Sequence, residues 1–159
     1  MRRTAATRPM AWLYRRMQQR VDSAVYALTG GRTTLSAWAA GLPLVMLTTT
    51  GARTGRRRTL PVLGVFDGET VVVIASNYGQ RRHPAWYHNL RAHPRAAVTV
   101  EGVPREVEAH ELAGEEAERY FQRGAEMYPG FAHYRRWAAG RRIPVVRLEP
   151  VSWRGGGIP

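Results

Sequence analysis

The sequence predicts an α+β fold in which about six mainly antiparallel strands form a barrel with peripheral helices. Short runs of β-branched and apolar residues alternate with glycine-containing turns, which is typical of strands joined in hairpins. The predicted order β-β-β-α-β-β-α-β lacks the regular alternation of a doubly wound sheet. At 159 residues the chain has the length of one domain. We therefore expect residues 1–159 to form a single domain, with the barrel core at residues 43–151.

An amphipathic helix is predicted within residues 1–30. Apolar residues recur every three or four positions from Pro9 to Thr29, and Gly30 and Gly31 follow as a stop signal. Such a stripe packs on a core in most proteins, but a basic helix can instead lie on an anionic membrane. Both interpretations remain open for this segment.

The barrel segments follow in order. LVMLTTT, RTLPVLGVF and VVVIAS are predicted strands, which the turns GARTGRRR and DGET join into a meander. A short helix is expected to begin near Pro84, since proline is favoured at a helix start. AAVTVEG and REVEAHEL alternate like a hairpin. GEEAERYFQRGAEMYP has acids in its first turn, as a helix prefers, and IPVVRLEPV is the final strand.

Net charge is +12, and most of it lies in the first part of the chain. Residues 1–66 hold eleven Arg and one acid, whereas residues 67–159 hold thirteen Arg and eleven acids. A positive field attracts nucleic acid, anionic membrane or a polyanionic small molecule. We do not expect nucleic acid as a partner, because aromatic residues are not interleaved with the basic ones.

Several chemistries are excluded by composition and spacing. The chain has no cysteine, so it has no disulfide, thiol nucleophile or thiolate metal site. His83, His88 and His93 are five residues apart, which turns them to different sides of a helix, and no metal is expected. No secretory signal or run of about 18 apolar residues is found. A cytoplasmic location is expected, with attachment to the inner face of the cell membrane as an open alternative.

Three segments contain candidate functional residues. In TTTGARTGRRRTLP, Thr48 to Pro61, two glycines and four arginines suit a phosphate or clustered carboxylates, although a solvated hairpin tip has the same pattern. In ASNYGQRRHPAWYHNL, Ser76 and Asn77 end a strand where a polar pair can meet a ligand. Trp86 and Asn89 lie on one face of the next helix. Core packing for Trp86, and a cap or loop anchor for Asn89, are the alternatives.

The third segment is MYPGFAHYRRW, in which Tyr128, Phe131 and Tyr134 repeat every three residues. This spacing predicts an aromatic wall that could enclose a flat ring, with core packing as the alternative.

These three segments, in this order and spacing, resemble the deazaflavin-dependent nitroreductase family of actinobacteria, also described as quinone reductases. The family pattern LTTTGxxTGxxRxxPL is matched by LTTTGARTGRRRTLPV, NPxWYxNLxxxP by HPAWYHNLRAHP, and MYPxYxxYxxW by MYPGFAHYRRW. The resemblance runs from about Val45 to Val151. It implies a split β-barrel, like that of FMN-binding proteins, which uses reduced coenzyme F-420 as hydride donor. This coenzyme is an 8-hydroxy-5-deazaflavin with an oligoglutamate tail, which would account for the charge of the basic turn.

The resemblance also implies which residues contact the coenzyme. The expected set comprises Ala52, Arg53, Thr54, Arg56, Arg57, Arg58, Thr59, Leu60, Pro61, Val62, Leu63, Ile74, Ala75, Ser76, Asn77, Ala85, Trp86, Tyr87, His88, Asn89 and Phe131. The expected catalytic residues are Ser76, Tyr128 and Tyr134, which could stabilise charge or donate a proton. The expected substrate is a quinone, an enone or a nitroaromatic compound.

Three departures from the family pattern bear on these expectations. Ala52 and Asn77 stand where a basic residue is frequent, and Arg56 and Arg57 could offset that loss of charge. Phe131 stands where relatives have a tyrosine near the ring, which removes a hydroxyl from the substrate side. The alternatives are a split barrel that uses FMN or haem, a deazaflavin carrier, and a basic membrane-binding protein without turnover. A homodimer is a further expectation, because barrels of this type often pair.

Overall fold

In the computed structural model, residues 43–151 are described, and they form a closed barrel of six antiparallel strands in the order β1-β2-β3-β6-β5-β4. The strands are β1 (Leu44–Thr50), β2 (Arg57–Asp67), β3 (Thr70–Ile74), β4 (Arg95–Val100), β5 (Val103–Glu111) and β6 (Val145–Pro150). The helices are α1 (Ala85–Ala92), α2 (Gly114–Met127) and α3 (Gly130–Trp137), with a short 3-10 turn at Asn77–Gly79. The predicted α+β split barrel is confirmed. The helix predicted within residues 1–30 lies outside the described residues.

The barrel interior is filled by alternate residues of its strands. Leu47, Val73 and Leu148 are almost completely buried in one apolar cluster, as expected where every second side chain points inward. Trp86 and Leu90 of α1 belong to the same cluster, so this short helix packs over one end of the barrel. This position also brings Ala85, His88 and Asn89 of α1 to the barrel mouth.

The outer face of β3 is buried as well. Val72 and Ile74 join a second cluster with Phe121 of α2 and Phe131 of α3. Both faces of β3 are therefore covered, which confirms the buried central strand predicted from the run VVVIAS. A Cβ atom at Gly124 would overlap the end of Ile74, so this glycine lets α2 lie close against β3.

The helix α3 was not predicted as a separate helix. The expected helix over GEEAERYFQRGAEMYP ends at Met127, and Pro129 precedes a second helix that carries Phe131 and Tyr134. The break places the two aromatic residues on an element that leans on both α2 and the 3-10 turn. Within residues 43–151, no helix has the length and apolar character needed to cross a bilayer.

Candidate functional site

A cleft of about 1070 Å³ lies where β1, β2, the end of β3, α1 and α3 meet. Its volume suits a ligand larger than a single small metabolite. Most residues predicted from the sequence line it, from all three segments. These are Ala52, Arg53, Thr54, Arg58, Thr59, Leu60, Pro61, Val62, Leu63, Ile74, Ser76, Asn77, Ala85, Trp86, His88, Asn89, Tyr128, Phe131 and Tyr134.

Four predicted residues do not line the cleft. Arg56 and Arg57 are exposed at the end of the turn and the start of β2, and neither lines the cleft. Ala75 is fully buried in the barrel interior. Tyr87 belongs to the same interior cluster, and its hydroxyl donates a hydrogen bond to Glu111 at 2.7 Å. These four residues are therefore not part of the cleft wall, and their contacts with the coenzyme stay a prediction.

The cleft is also lined by residues that were not predicted, namely Leu44, Thr49, Gly51, Tyr78, Gln80, His83 and Pro84. Gly51 belongs to the first candidate segment, TTTGARTGRRRTLP, and Gln80 and Pro84 belong to the second, ASNYGQRRHPAWYHNL. Tyr78 adopts a left-handed backbone with φ of 55°, which is uncommon for an aromatic residue and has no simple sequence signal.

The basic turn between β1 and β2 is internally hydrogen-bonded. The Gly51 N–H donates to the Arg56 carbonyl at 2.8 Å, and the Gly55 N–H donates to the Gly51 carbonyl at 2.9 Å. A Cβ atom at Gly51 would lie 2.7 Å from the Thr54 hydroxyl oxygen, and Gly55 has φ of +65°. Among the described residues, the N–H groups of Arg53 and Thr54 have no acceptor. The turn thus offers free backbone donors beside cationic side chains.

Asn89 of α1 fixes this turn to the barrel. Its Oδ1 accepts a hydrogen bond from the Ala52 N–H at 2.9 Å, and its Nδ2 donates to the Thr49 hydroxyl at 3.0 Å. The side chains of Asn89 and Thr49 are both buried. The loop anchor, which was left open as an alternative for Asn89, is therefore the interaction observed, although Asn89 also lines the cleft.

The charge of the cleft wall is positive. Arg53 and Arg58 line it, and none of the lining residues in the part of the chain that the structure describes is an aspartate or a glutamate. Neither guanidinium has a carboxylate partner among the described residues. Because Arg56 and Arg57 are exposed next to it, the positive field extends along the rim. An anionic group is therefore the ligand chemistry that this wall favours.

The predicted aromatic wall is present in the lining of the cleft. The ring centroids of Tyr128 and Phe131 are 5.6 Å apart at 89°, and those of Phe131 and Tyr134 are 6.3 Å apart at 81°. Tyr78 extends the wall, with its ring edge-to-face with Tyr134 at 5.8 Å. Phe131 also packs in the outer core cluster, so core packing and cleft lining both apply to it.

The Tyr128 and Tyr134 hydroxyls form a pair with an O–O distance of 2.9 Å. Burial, followed by the hydrogen bond between the two hydroxyls, raises the pKa of Tyr134 far above its ordinary value. A Cβ atom at Gly130 would overlap the Tyr128 ring, so the glycine lets that ring fold over the start of α3. In such a pair one hydroxyl donates to the other, and the acceptor keeps its own proton for a ligand.

Ser76 and Asn77 end β3 at the cleft but differ in their contacts. Ser76 is 7% exposed, and its hydroxyl makes no hydrogen bond to another described residue. The Asn77 side-chain amide instead donates to the Arg82 carbonyl at 2.8 Å. Ser76 is therefore the residue of this pair that offers a free polar group. Within residues 43–151, no cluster of three His, Asp or Glu side chains could hold a metal ion.

The fold is a split barrel, and its cleft suits an anionic ligand with a planar ring. The chain belongs to the F-420H(2)-dependent quinone reductase family, whose model matches residues 14–150. This family confirms the predicted oxidoreductase and its coenzyme F-420. It favours F-420 over the alternatives of FMN and haem.

Individual relatives agree with this assignment. A Mycobacterium tuberculosis protein with the provisional name F-420H(2)-dependent quinone reductase is 30% identical over 109 residues, which cover 69% of this chain and 91% of the relative. The solved structure of an F-420-H(2) dependent reductase is 36% identical and covers 67% of this chain and 94% of its own, with a TM-score of 0.62. A solved domain-swapped dimer is 31% identical, with a TM-score of 0.64, and covers 89% of this chain and 99% of its own.

Proposed function

We propose that this chain transfers a hydride from reduced coenzyme F-420 to a quinone bound in the same cleft. The observation that carries the proposal is one cavity that combines a cationic turn, with two N–H groups that have no acceptor among the described residues, and an aromatic wall. A coenzyme with a planar ring, a phosphate and a polyglutamate tail requires both features. The cleft also has the volume to admit a second planar molecule.

The lining residues fit the coenzyme by their chemistry. The phosphate and the carboxylates would be held by Arg53, Arg58 and the free N–H groups of the turn, because guanidinium groups and backbone donors suit such anions. The turn keeps this shape through Asn89. The apolar strand residues from Leu60 to Leu63 would hold the ring, and Arg56 and Arg57 would attract the tail through the field at the rim.

When bound, the coenzyme supplies the hydride, and the protein orients it and stabilises the charge that develops. Negative charge grows on a quinone oxygen as the hydride arrives. The Ser76 hydroxyl and the free proton of the Tyr128–Tyr134 pair are two donors that the cleft offers to this oxygen. The Tyr134 hydroxyl is protonated at neutral pH, as tyrosines ordinarily are, and its raised pKa keeps it protonated under alkaline conditions too.

Replacing Tyr134 with phenylalanine should lower kcat for a quinone about three- to tenfold and leave the coenzyme dissociation constant unchanged. One hydroxyl of the pair is lost, while Ser76 and Tyr128 remain to donate. Steady-state kinetics with the reduced coenzyme provide the measurement. Tyr120→Phe is the matched control, because it also removes a tyrosine hydroxyl. The Tyr120 hydroxyl donates a hydrogen bond to Asp67, and Tyr120 does not line the cleft. Equal kcat values for Tyr134→Phe and the wild type would remove this hydroxyl from the mechanism.

The coenzyme itself is tested by fluorescence titration with oxidised F-420, in parallel with FMN, at low and moderate salt. We expect F-420 to bind more tightly than FMN, since it carries more negative charge for the basic turn to meet. Its dissociation constant should rise with salt, because ions screen the exposed arginines. Tighter binding of FMN, or no binding of F-420, would contradict the proposed function.

Assembly and location remain predictions. The domain-swapped relative supports a homodimer for this chain as well, and light scattering of the purified protein would show its mass in solution. A cytoplasmic location also remains a prediction. Membrane attachment through residues 1–30 concerns a segment outside the described residues. Co-sedimentation with anionic liposomes, with and without residues 1–30, tests that attachment.

A further inference from the structure

Arg141, in the loop after α3, is held against the end of β3 by four acceptors from one short segment. Its Nε donates to the Gln80 carbonyl at 2.9 Å and its Nη2 donates to the Ser76 carbonyl at 2.8 Å. Its Nη1 reaches the Ala75 carbonyl at 3.3 Å and the Nδ1 atom of His83 at 2.9 Å. Among the described residues, no carboxylate forms an ion pair with this guanidinium.

This contact fixes the protonation state of His83. A guanidinium can only donate, so Nδ1 of His83 must accept, and an imidazole that accepts at Nδ1 is neutral with its proton on Nε2. Burial and then the charge of Arg141 lower the pKa of His83, which agrees with this form. His88 and Arg142 lower it further, and Glu111 opposes them.

His83 also lines the cleft, whereas Arg141 does not. With Nδ1 occupied, the polar atom that His83 retains is the Nε2–H, and this atom has no partner among the described residues. The ring itself is steadied by the Tyr87 ring, whose centroid lies 4.8 Å away. The cleft wall therefore includes a neutral, oriented donor near Ser76 in the chain.

We propose that His83 recognises an acceptor oxygen of the molecule in the cleft through its Nε2–H, and that Arg141 is the positioning residue that fixes this tautomer. The inference rests on the proposed function for the source of the oxygen, since deazaflavin rings and quinones both carry carbonyl groups. The tautomer of His83 follows from its contact with Arg141 and does not depend on the proposed function.

Arg141 has a second effect on the same wall. Asn77 and Tyr78 have φ of 45° and 55°, a left-handed conformation that costs free energy in residues other than glycine. The bonds from Arg141 to the carbonyls of Ala75, Ser76 and Gln80 span this strained turn and offset that cost. Loss of Arg141 should therefore disturb Ser76 and His83 together.

The tautomer is tested by long-range proton–nitrogen NMR of the nitrogen-labelled protein without any ligand. We expect His83 to be neutral, protonated at Nε2, and to titrate below the ordinary pKa of 6.5. In Arg141→Gln the midpoint should rise, while the signals of His93 and His110 report whether the fold persists. A wild-type His83 that is protonated at Nδ1, or charged at pH 7, would overturn the proposal without any variant.

The acceptor oxygen is tested with His83→Phe, which keeps a ring without nitrogen atoms, and His83→Gln, which restores a donor. The phenylalanine variant should raise either the F-420 dissociation constant or the quinone KM about five- to tenfold, and the glutamine variant should recover most of it. The affected constant identifies the source of the oxygen. Unchanged constants in His83→Phe, or equal losses in both variants, would refute recognition by His83. Absence of F-420 binding by the wild type would instead refute the proposed function, and the NMR result would still decide the tautomer.

Discussion

Replacing Arg58 with alanine is expected to raise the dissociation constant of coenzyme F-420 about 10- to 100-fold, because a charge-assisted hydrogen bond to a phosphate or carboxylate is worth about 1.5–3 kcal/mol. Arg58 lines the cleft at the base of the basic turn and has no carboxylate partner among the described residues. The substitution therefore removes a positive charge from the cleft without breaking an ion pair among the described residues. Turnover with saturating coenzyme should change far less. Fluorescence titration and kinetics at saturation measure the two effects.

Arg57→Ala is the matched control for Arg58→Ala. It removes the same charge from the neighbouring residue of β2, but Arg57 does not line the cleft. We expect only the small effect of a weaker field, which should disappear at moderate salt. Equal dissociation constants for the two variants at moderate salt would show that Arg58 makes no direct contact with the coenzyme.

Replacing Asn89 with leucine should lower the free energy of unfolding by about 2–4 kcal/mol, since it leaves the buried Thr49 hydroxyl and the Ala52 N–H without their partners. The basic turn would also lose its connection to α1, so coenzyme affinity should fall. Urea denaturation and coenzyme titration, both with purified protein, measure the two effects.

Asn89→Asp separates stability from positioning. The carboxylate keeps an acceptor for the Ala52 N–H, and Thr49 can turn its hydroxyl to donate. This variant should retain more stability than Asn89→Leu, while its negative charge at the cleft repels an anionic coenzyme. Unchanged coenzyme affinity in a destabilised Asn89→Leu variant would contradict the role of Asn89 in holding the turn.

The barrel could be predicted from the sequence because its signals are local. The run VVVIAS contains residues that suit a strand buried on both faces, and the structure buries β3 on both faces. The basic turn was also visible, since its glycines and arginines are adjacent in the chain. The break between α2 and α3 was missed because the aromatic spacing was interpreted as a wall alone, although Pro129 and Gly130 mark the point where the first helix ends.

The contacts that shape the cleft could be predicted less well, because they join distant parts of the chain. The hydrogen bond between Asn89 and Thr49 joins residues that are 40 positions apart, so the sequence does not decide the role of Asn89. The Arg141–His83 contact spans 58 residues and has no motif. Arg57 was placed at the coenzyme because the resemblance covers a continuous run.

The central claim is hydride transfer from F-420 to a quinone in this cleft, and single-turnover mixing tests it most directly. The protein is loaded with reduced F-420 and mixed with a soluble quinone, while the fluorescence of the oxidised coenzyme is followed. Our account predicts reoxidation that is much faster than without protein and that saturates with quinone concentration. A coenzyme that binds tightly but is reoxidised at the rate seen without protein would contradict the account and leave a carrier of the deazaflavin.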